Sequence, residues 1–478
     1  MHLSFKKSGL LLVSSLMLLA SCASGGPTYH KGEKVFVYDK NANVVVTYDL
    51  SANEKGYNIN IQFGDYSKIE AVQIGREEAS KSEYGYKNGI LTLSGKLLNR
   101  VASGEKTINV TPAGERAIKI PALFCDKIIS TAQDFQDINN NLDGTYCLAN
   151  DIDFASFGNF EPLGRYVSET DTTNHYFHGI LEGNGYALKN MQVVYSQNPT
   201  QSDGTNTLDS NKDAYDGTFG FKDVAHKNGD NIGVFQIIGS SGVVRNLVFD
   251  NVKVLGRTIV GVVAGNVAGT VENVLIKENC SAKMNTHFYD NDCNVGGAFG
   301  IVGGSGQVRN VVSLTQNVSV SALYQDYGPD YAGKTGNGWD HSAQAGNTDN
   351  WWRFAGVNRD IAGTNNKELD SNGKNSNGVY SVVGKCWGSV SNSLGVKFTV
   401  TPKDGTSREI CFGQTHLGSL KPTSGDSDLG QFNNCAVYGL SELSAASLYS
   451  GFDTSVWNIA DGSLPTLKAP IVRTGTIQ

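Results

Sequence analysis

The sequence predicts an all-β protein, a small sandwich followed by a stacked β-solenoid, on three observations. The first is a five-fold repeat: Gly242-Val-Val-Arg-Asn246, Gly269-Thr-Val-Glu-Asn273, Gly306-Gln-Val-Arg-Asn310, Gly388-Ser-Val-Ser-Asn392 and Gly430-Gln-Phe-Asn-Asn434. The second is a series of short apolar or alternating runs, divided by turn signals, from Lys34 to Ala122. The third is 56 glycines against 10 prolines without a triplet period, which fits many tight turns and excludes collagen. Within each repeat glycine, an apolar residue and asparagine take alternate positions, so on a strand they share one face. The asparagine is therefore expected on the face of Val244, Val271, Val308, Val390 or Phe432. An inward amide needs a partner, and the simplest is the equivalent amide or backbone of the next coil, about 4.8 Å along the axis. Asn246, Asn273, Asn310, Asn392 and Asn434 are thus expected to form a structural ladder.

The first residues carry Lys6 and Lys7, an apolar run from Leu10 to Leu19, and then Leu19-Ala20-Ser21-Cys22. The run is short for a transmembrane helix, and small residues precede the cysteine, so residues 1–21 read as an export signal. Leu19-Ala-Ser-Cys22 resembles the lipobox of bacterial lipoproteins. That resemblance implies that Cys22 is acylated, that the lipid makes the membrane a partner, and that the protein resides in the cell envelope, on the outer membrane or cell surface. Residues 22–33 are expected to be a tether, flexible over Ala23 to Pro27.

Loss of the signal would remove two lysines and no acid, taking the formal charge from −7 to −9. No basic stripe is present to displace counterions, so nucleic acid is not expected as a partner. Besides Cys22 there are seven cysteines, none in a Cys-x-x-Cys spacing. They fit single buried thiols at coil positions better than a disulfide framework.

Residues 34–125 contain Val35 to Tyr38, Val44 to Leu50, Tyr57 to Phe63, Ile90 to Leu93 and Thr107 to Val110, a spacing that suggests a sandwich. Tyr84-Gly-Tyr-Lys-Asn-Gly-Ile-Leu-Thr-Leu-Ser-Gly-Lys-Leu-Leu98, followed by Ala102 to Val110, resembles bacterial Ig-like modules. In Ser130-Thr-Ala-Gln-Asp134 a hydroxyl precedes a carboxylate by three residues, a capping box for a short helix that covers the first coil. Residues 130–470 resemble bacterial surface proteins with GLUG repeats, through Asn231-Ile-Gly-Val-Phe235, Ile259-Val-Gly-Val-Val-Ala-Gly265, Asn294-Val-Gly-Gly-Ala-Phe-Gly300 and Val379-Tyr-Ser-Val-Val-Gly384. The resemblance implies a right-handed parallel β-helix with short capping helices. Successive repeat asparagines lie 27, 37, 82 and 42 residues apart, so the longer intervals contain excursions, and 197–230 and 324–378 read as insertions. Trp457 and Leu467 are expected to cover the last coil.

No catalytic set stands out. There is no His-Glu-x-x-His, no Gly-x-Ser-x-Gly and no phosphate loop, and neither a metal nor a cofactor is expected. His175 and His178 are three apart in a loop-to-strand region, which points their rings to opposite faces. Asp151 and Asp153, helped by Glu161 or Glu182, could hold calcium in a polysaccharide lyase, or they could turn the first coil through bonds to backbone. A glycosidase pair is a further alternative. The insertion carries Tyr327, Tyr331, Trp339, Trp351 and Trp352 among amides and carboxylates, which suits sugar rings or a protein hot spot, or else a local core. The expectation is a non-catalytic, adhesin-like protein that binds glycan or protein ligands through loops; the alternatives are a lyase or glycosidase on the same scaffold and a purely structural envelope component.

Overall fold

The computed structural model describes residues 26–52, 56–164, 175–194, 231–256, 259–286, 294–322, 378–400, 408–415 and 430–476. It is all-β with stacked parallel sheets. The N-terminal part packs two five-stranded sheets. One runs Thr474–Thr476, Lys34–Val37, Ile59–Gln62, Ile90–Leu93, Tyr84–Lys87; the other runs Val46–Asp49, Ile118–Cys125, Gly104–Pro112, Ile69–Ile74, Glu77–Glu78. Tyr48, Ile108 and Ile120 from one sheet and Ile61, Leu91 and Leu93 from the other share one apolar core. The outermost member of the first sheet is the end of the chain: Thr474–Thr476 pairs antiparallel with Lys34–Val37.

From Lys127 the chain winds through four parallel sheets in a fixed order. One coil passes along Val243–Asp250 in a long sheet, Lys253–Gly256 in a second, Val260–Gly261 in a third and Ala264–Val267 in a fourth. The next passes along Thr270–Ile276, Ser281–Thr286, Asn294–Gly296 and Phe299–Val302, each paired in register with its predecessor. The repeat's apolar position forms a vertical row, Leu181, Val244, Val271, Val308, Val390 and Phe432, each opposite the next. That row lies within the core of the stack. The repeat's glycine is set by close approach, since a side chain at Gly269 would collide with the carbonyls of Gly239 and Gly242. The stack opens on helix Ala132–Gln136, capped by Thr131 and Asp134, whose Phe135 packs edge-on against Phe154 at 5.9 Å.

The asparagines depart from the expected geometry. Each stands at positive φ, between 46° and 56°, and so kinks its strand. The kink breaks the alternation: Val244, Leu247 and Phe249 enter the core of the stack, while Val248 joins a separate outer cluster with Leu275, Val312 and Leu394. The amides do not share the inward face of the valines. They line the outer surface at the kink, where the C-terminal segment covers them, with Trp457 Nε1 donating to Asn273 Oδ1 at 3.1 Å and a Cβ on Gly451 placed 3.0 Å from the Asn392 side chain.

That segment also departs from expectation. Trp457 and Leu467 belong to the outer cluster with Ala187, Val248, Leu275, Val312 and Leu394, so they run along the flank of the stack rather than over its last coil. The backbone then returns to the sandwich, Val472 N–H bonding Asn184 Oδ1 at 2.7 Å on the way.

Candidate functional site

Successive coils share one variable corner. Between the second and third sheets the chain leaves Val194 and resumes at Asn231, leaves Gly256 and resumes at Ile259, leaves Thr286 and resumes at Asn294, and leaves Ala322 and resumes at Gly378. In the next coil a hairpin, Thr399–Val400 with Arg408–Glu409, takes the same step of the path. The turns from third to fourth sheet hold two residues each, as in Gly261 to Ala264, Gly296 to Phe299 and Tyr380 to Val383. Two other long connections lie elsewhere: 165–174, between Leu163 and Phe177, which both bridge Phe235–Ile238 of the fourth sheet, and 416–429, from the fourth sheet to the long sheet. Variation in length is therefore concentrated on one edge of a rigid stack, where repeat scaffolds build binding surfaces. Tyr327, Tyr331, Trp339, Trp351 and Trp352 lie outside the described residues, as does Cys22; the described strands on either side of 323–377, Asn317–Ala322 and Gly378–Tyr380, end and begin at this corner. Asn294, the first described residue after 287–293, is fully buried with neither amide atom bonded. In the sequence it opens the stretch Asn294-Val-Gly-Gly-Ala-Phe-Gly300.

The five repeat asparagines are brought together in two runs. Asn246 Nδ2 donates to Glu182 Oε1 at 2.9 Å, Asn273 Nδ2 to Asn246 Oδ1 at 3.0 Å and Asn310 Nδ2 to Asn273 Oδ1 at 3.0 Å. Asn434 Nδ2 donates to Asn392 Oδ1 at 2.9 Å. Asn310 Oδ1 is buried without a partner, so the ladder is interrupted at the coil that carries the longest insertion. A second, unanticipated set occupies another turn: Asn190 Nδ2 donates to Asp153 Oδ1 at 2.9 Å and Asn251 Nδ2 to Asn190 Oδ1 at 2.7 Å.

The carboxylates considered for calcium are engaged with separate partners. Asp153 bonds the Asn190 amide and the Ala155 N–H, which together hold its pKa below the usual range. Asp151 pairs with Lys189 at 2.5 Å and accepts from Ala187 N–H at 2.9 Å. Glu161 meets the Gln136 side chain through its backbone N–H at 2.9 Å. Glu182, 1% exposed, accepts from Arg245 Nε at 2.7 Å, and Arg245 reaches across to Glu105 of the sandwich at 2.6 Å. Burial works against the Arg245 charge, but Glu182 and then Glu105 outweigh it and raise its pKa. The crevice beside this junction, lined by Glu182, Asn246, Val456 and Val472, has a volume of 40 Å³, enough for about one water rather than a sugar. His178 packs against Gly239 with Nδ1 3.2 Å from Ser241 Oγ. Among the described residues no three His, Cys, Asp or Glu side chains converge as metal ligands.

Six cysteines are described, all as thiols: Cys125, Cys147, Cys280 and Cys386 are buried, Cys435 half-buried and Cys411 exposed. Burial pushes Cys280 and Cys386 up to about 12, which keeps them protonated as apolar filling.

Among known proteins, no family model matches the chain. A 157-residue stretch, 31% of the chain, is 29% identical to halomucin of Haloquadratum walsbyi (strain DSM 16790 / HBSQ001). The chain spans about 1% of that relative's length. A solved structure, a candidate immunoglobulin A1 protease from Bacteroides ovatus, aligns over 72% of this chain and 92% of its own at 11% identity and a TM-score of 0.32, a likeness that carries no argument. No helix among the described residues is long and apolar enough to cross a membrane.

Proposed function

We propose that this is a non-catalytic, lipid-anchored envelope protein of adhesin type, with an Ig-like spacer and a right-handed GLUG-type β-helix that recognises glycan or protein ligands. The observation that carries this reading is the variable corner: the stack keeps its core rows in register while most of the change in loop length falls on one edge. The aromatic insertion at that edge supplies flat rings for the C–H faces of sugars, beside carboxylates and amides for their hydroxyls. The engagement of Asp151, Asp153 and Glu182 in turns and in the junction supports binding over a calcium-dependent lyase. Anchoring at Cys22 would display the corner outside the cytoplasm.

The test is a glycan array probed with the chain from Gly26 onward, beside variants Trp339→Ala, Trp351→Ala and Trp352→Ala. The expected result is capture that at least one variant weakens by about tenfold, the equivalent of ~1.4 kcal/mol, with no turnover of the captured sugar. Calcium-dependent release of unsaturated sugar, lost in Asp153→Ala, would contradict the reading.

A further inference from the structure

The segment expected to be a loose tether is partly docked. Gly26 lies on Tyr84 so closely that a side chain at Gly26 would collide with the Tyr84 carbonyl, and one at Gly85 would collide with the Pro27 carbonyl. Asn88 Nδ2 donates to Tyr29 Oη at 3.3 Å. Tyr84–Lys87 is the last strand of its sheet, so residues 26–29 shield an edge that would otherwise present unpaired backbone.

This docking has a consequence for a chain acylated at Cys22. Three residues separate Cys22 from Gly26, and the four steps between them reach at most about 14 Å. Acyl chains on Cys22 enter the bilayer, so the edge strand cannot stand far from the headgroups. We propose that this edge of the sandwich rests on the phospholipid surface that holds the Cys22 lipid, a proposal that depends on the lipid-anchor reading. The chemistry of the rim suits that occupant. Lys31 and Lys87 are exposed and line, with Tyr29 and Tyr86, an open groove of 370 Å³. Their ammonium groups can meet headgroup phosphates while the half-buried tyrosine rings lie at the polar boundary. Two nearby carboxylates are neutralised, Glu83 by pairing with Arg100 and Glu33 by accepting from the Asn60 amide at 2.5 Å, while Asp65 stays exposed beside Gly89. The sandwich then acts as a foot. Arg245 and the returning strand Thr474–Thr476 join it to the stack, so its seating fixes how the variable corner is presented.

The experiment compares lysine acylation rates, by peptide mass spectrometry with a membrane-impermeant ester, for the full lipid-bearing chain in vesicles of phosphatidylethanolamine and phosphatidylglycerol and for the soluble chain from Gly26. The expected result is that vesicles slow Lys31 and Lys87 by about tenfold and leave the exposed Lys253 and Lys283 of the stack unchanged. Equal rates for all four lysines, on a chain whose intact mass carries the acyl groups, would overturn the proposal while leaving the anchor in place. An intact mass without acyl groups would overturn both. Protection of Lys31 and Lys87 in the soluble chain that grows with its concentration would assign the edge to a second copy and overturn the membrane seating.

Discussion

An asparagine at φ near +54° is strained less than any other residue with a side chain, because its short amide can bond locally and its Cβ clash is tolerated. Among the described residues every non-glycine at positive φ is an asparagine, ten in all, and five of them are the repeat asparagines. The spacing of these residues is legible in the sequence; their kink is not, because strict strand alternation places the amide inward while asparagine is a residue type that often breaks that alternation. The kink turns the amides outward, where they bond one another and Trp457. Replacing Asn273 by alanine would strain the backbone and strand Asn246 Oδ1, Asn310 Nδ2 and Trp457 Nε1. The expected cost is roughly 2–4 kcal/mol in urea unfolding. Asn273→Gly relaxes the backbone and loses only the bonds, so it should fall between alanine and the native chain; a glycine variant no more stable than alanine would show that the kink contributes nothing.

At the scale of elements, the capping helix was readable because its signal is local: Thr131 and Asp134 bond each other's backbone within one turn. Burial raises the Asp134 pKa, but Lys127 and the hydroxyls of Thr131 and Ser130 outweigh it and hold the carboxyl at about 2, below its ordinary 3.8. A carboxyl depressed in the folded state stabilises above its unfolded pKa, and that contribution is lost as pH falls from about 4 towards about 2. Hydrogen exchange across residues 132–136 is expected to quicken, relative to the intrinsic rate, over that window in the native chain and to change less in Asp134→Asn. Identical profiles would remove Asp134 as the cause. Two sandwich strands were harder to read. Ile118–Cys125 contains Pro121, which ordinarily demotes a run, yet it lies between Val46–Asp49 and Gly104–Pro112. Ile69–Ile74 buries its residues without clean alternation and so lacks the period-two signature.

Over the whole molecule the least legible feature is the path of the C-terminal segment. Trp457 meets a residue 184 positions earlier and Val472 one 288 positions earlier, separations about which sequence pattern is silent. The same holds for Glu105, Arg245 and Glu182, whose pairing across the junction depends on how the sandwich seats. By contrast, the unequal intervals between repeats do show that excursions exist, and the fold adds that the longest of them leave from one corner. The coil from Lys253 to Val260 passes from Gly256 to Ile259 with two residues between them, so two residues suffice to span that corner.

The most direct measurement follows from that geometry: excise 323–377, join Ala322 to Gly378 through the short crossing used after Gly256, and measure ligand capture and thermal unfolding on the same preparation. Capture is expected to be lost while the melting temperature stays within about 3 °C of the intact chain. Capture that survives the excision would contradict the proposed function.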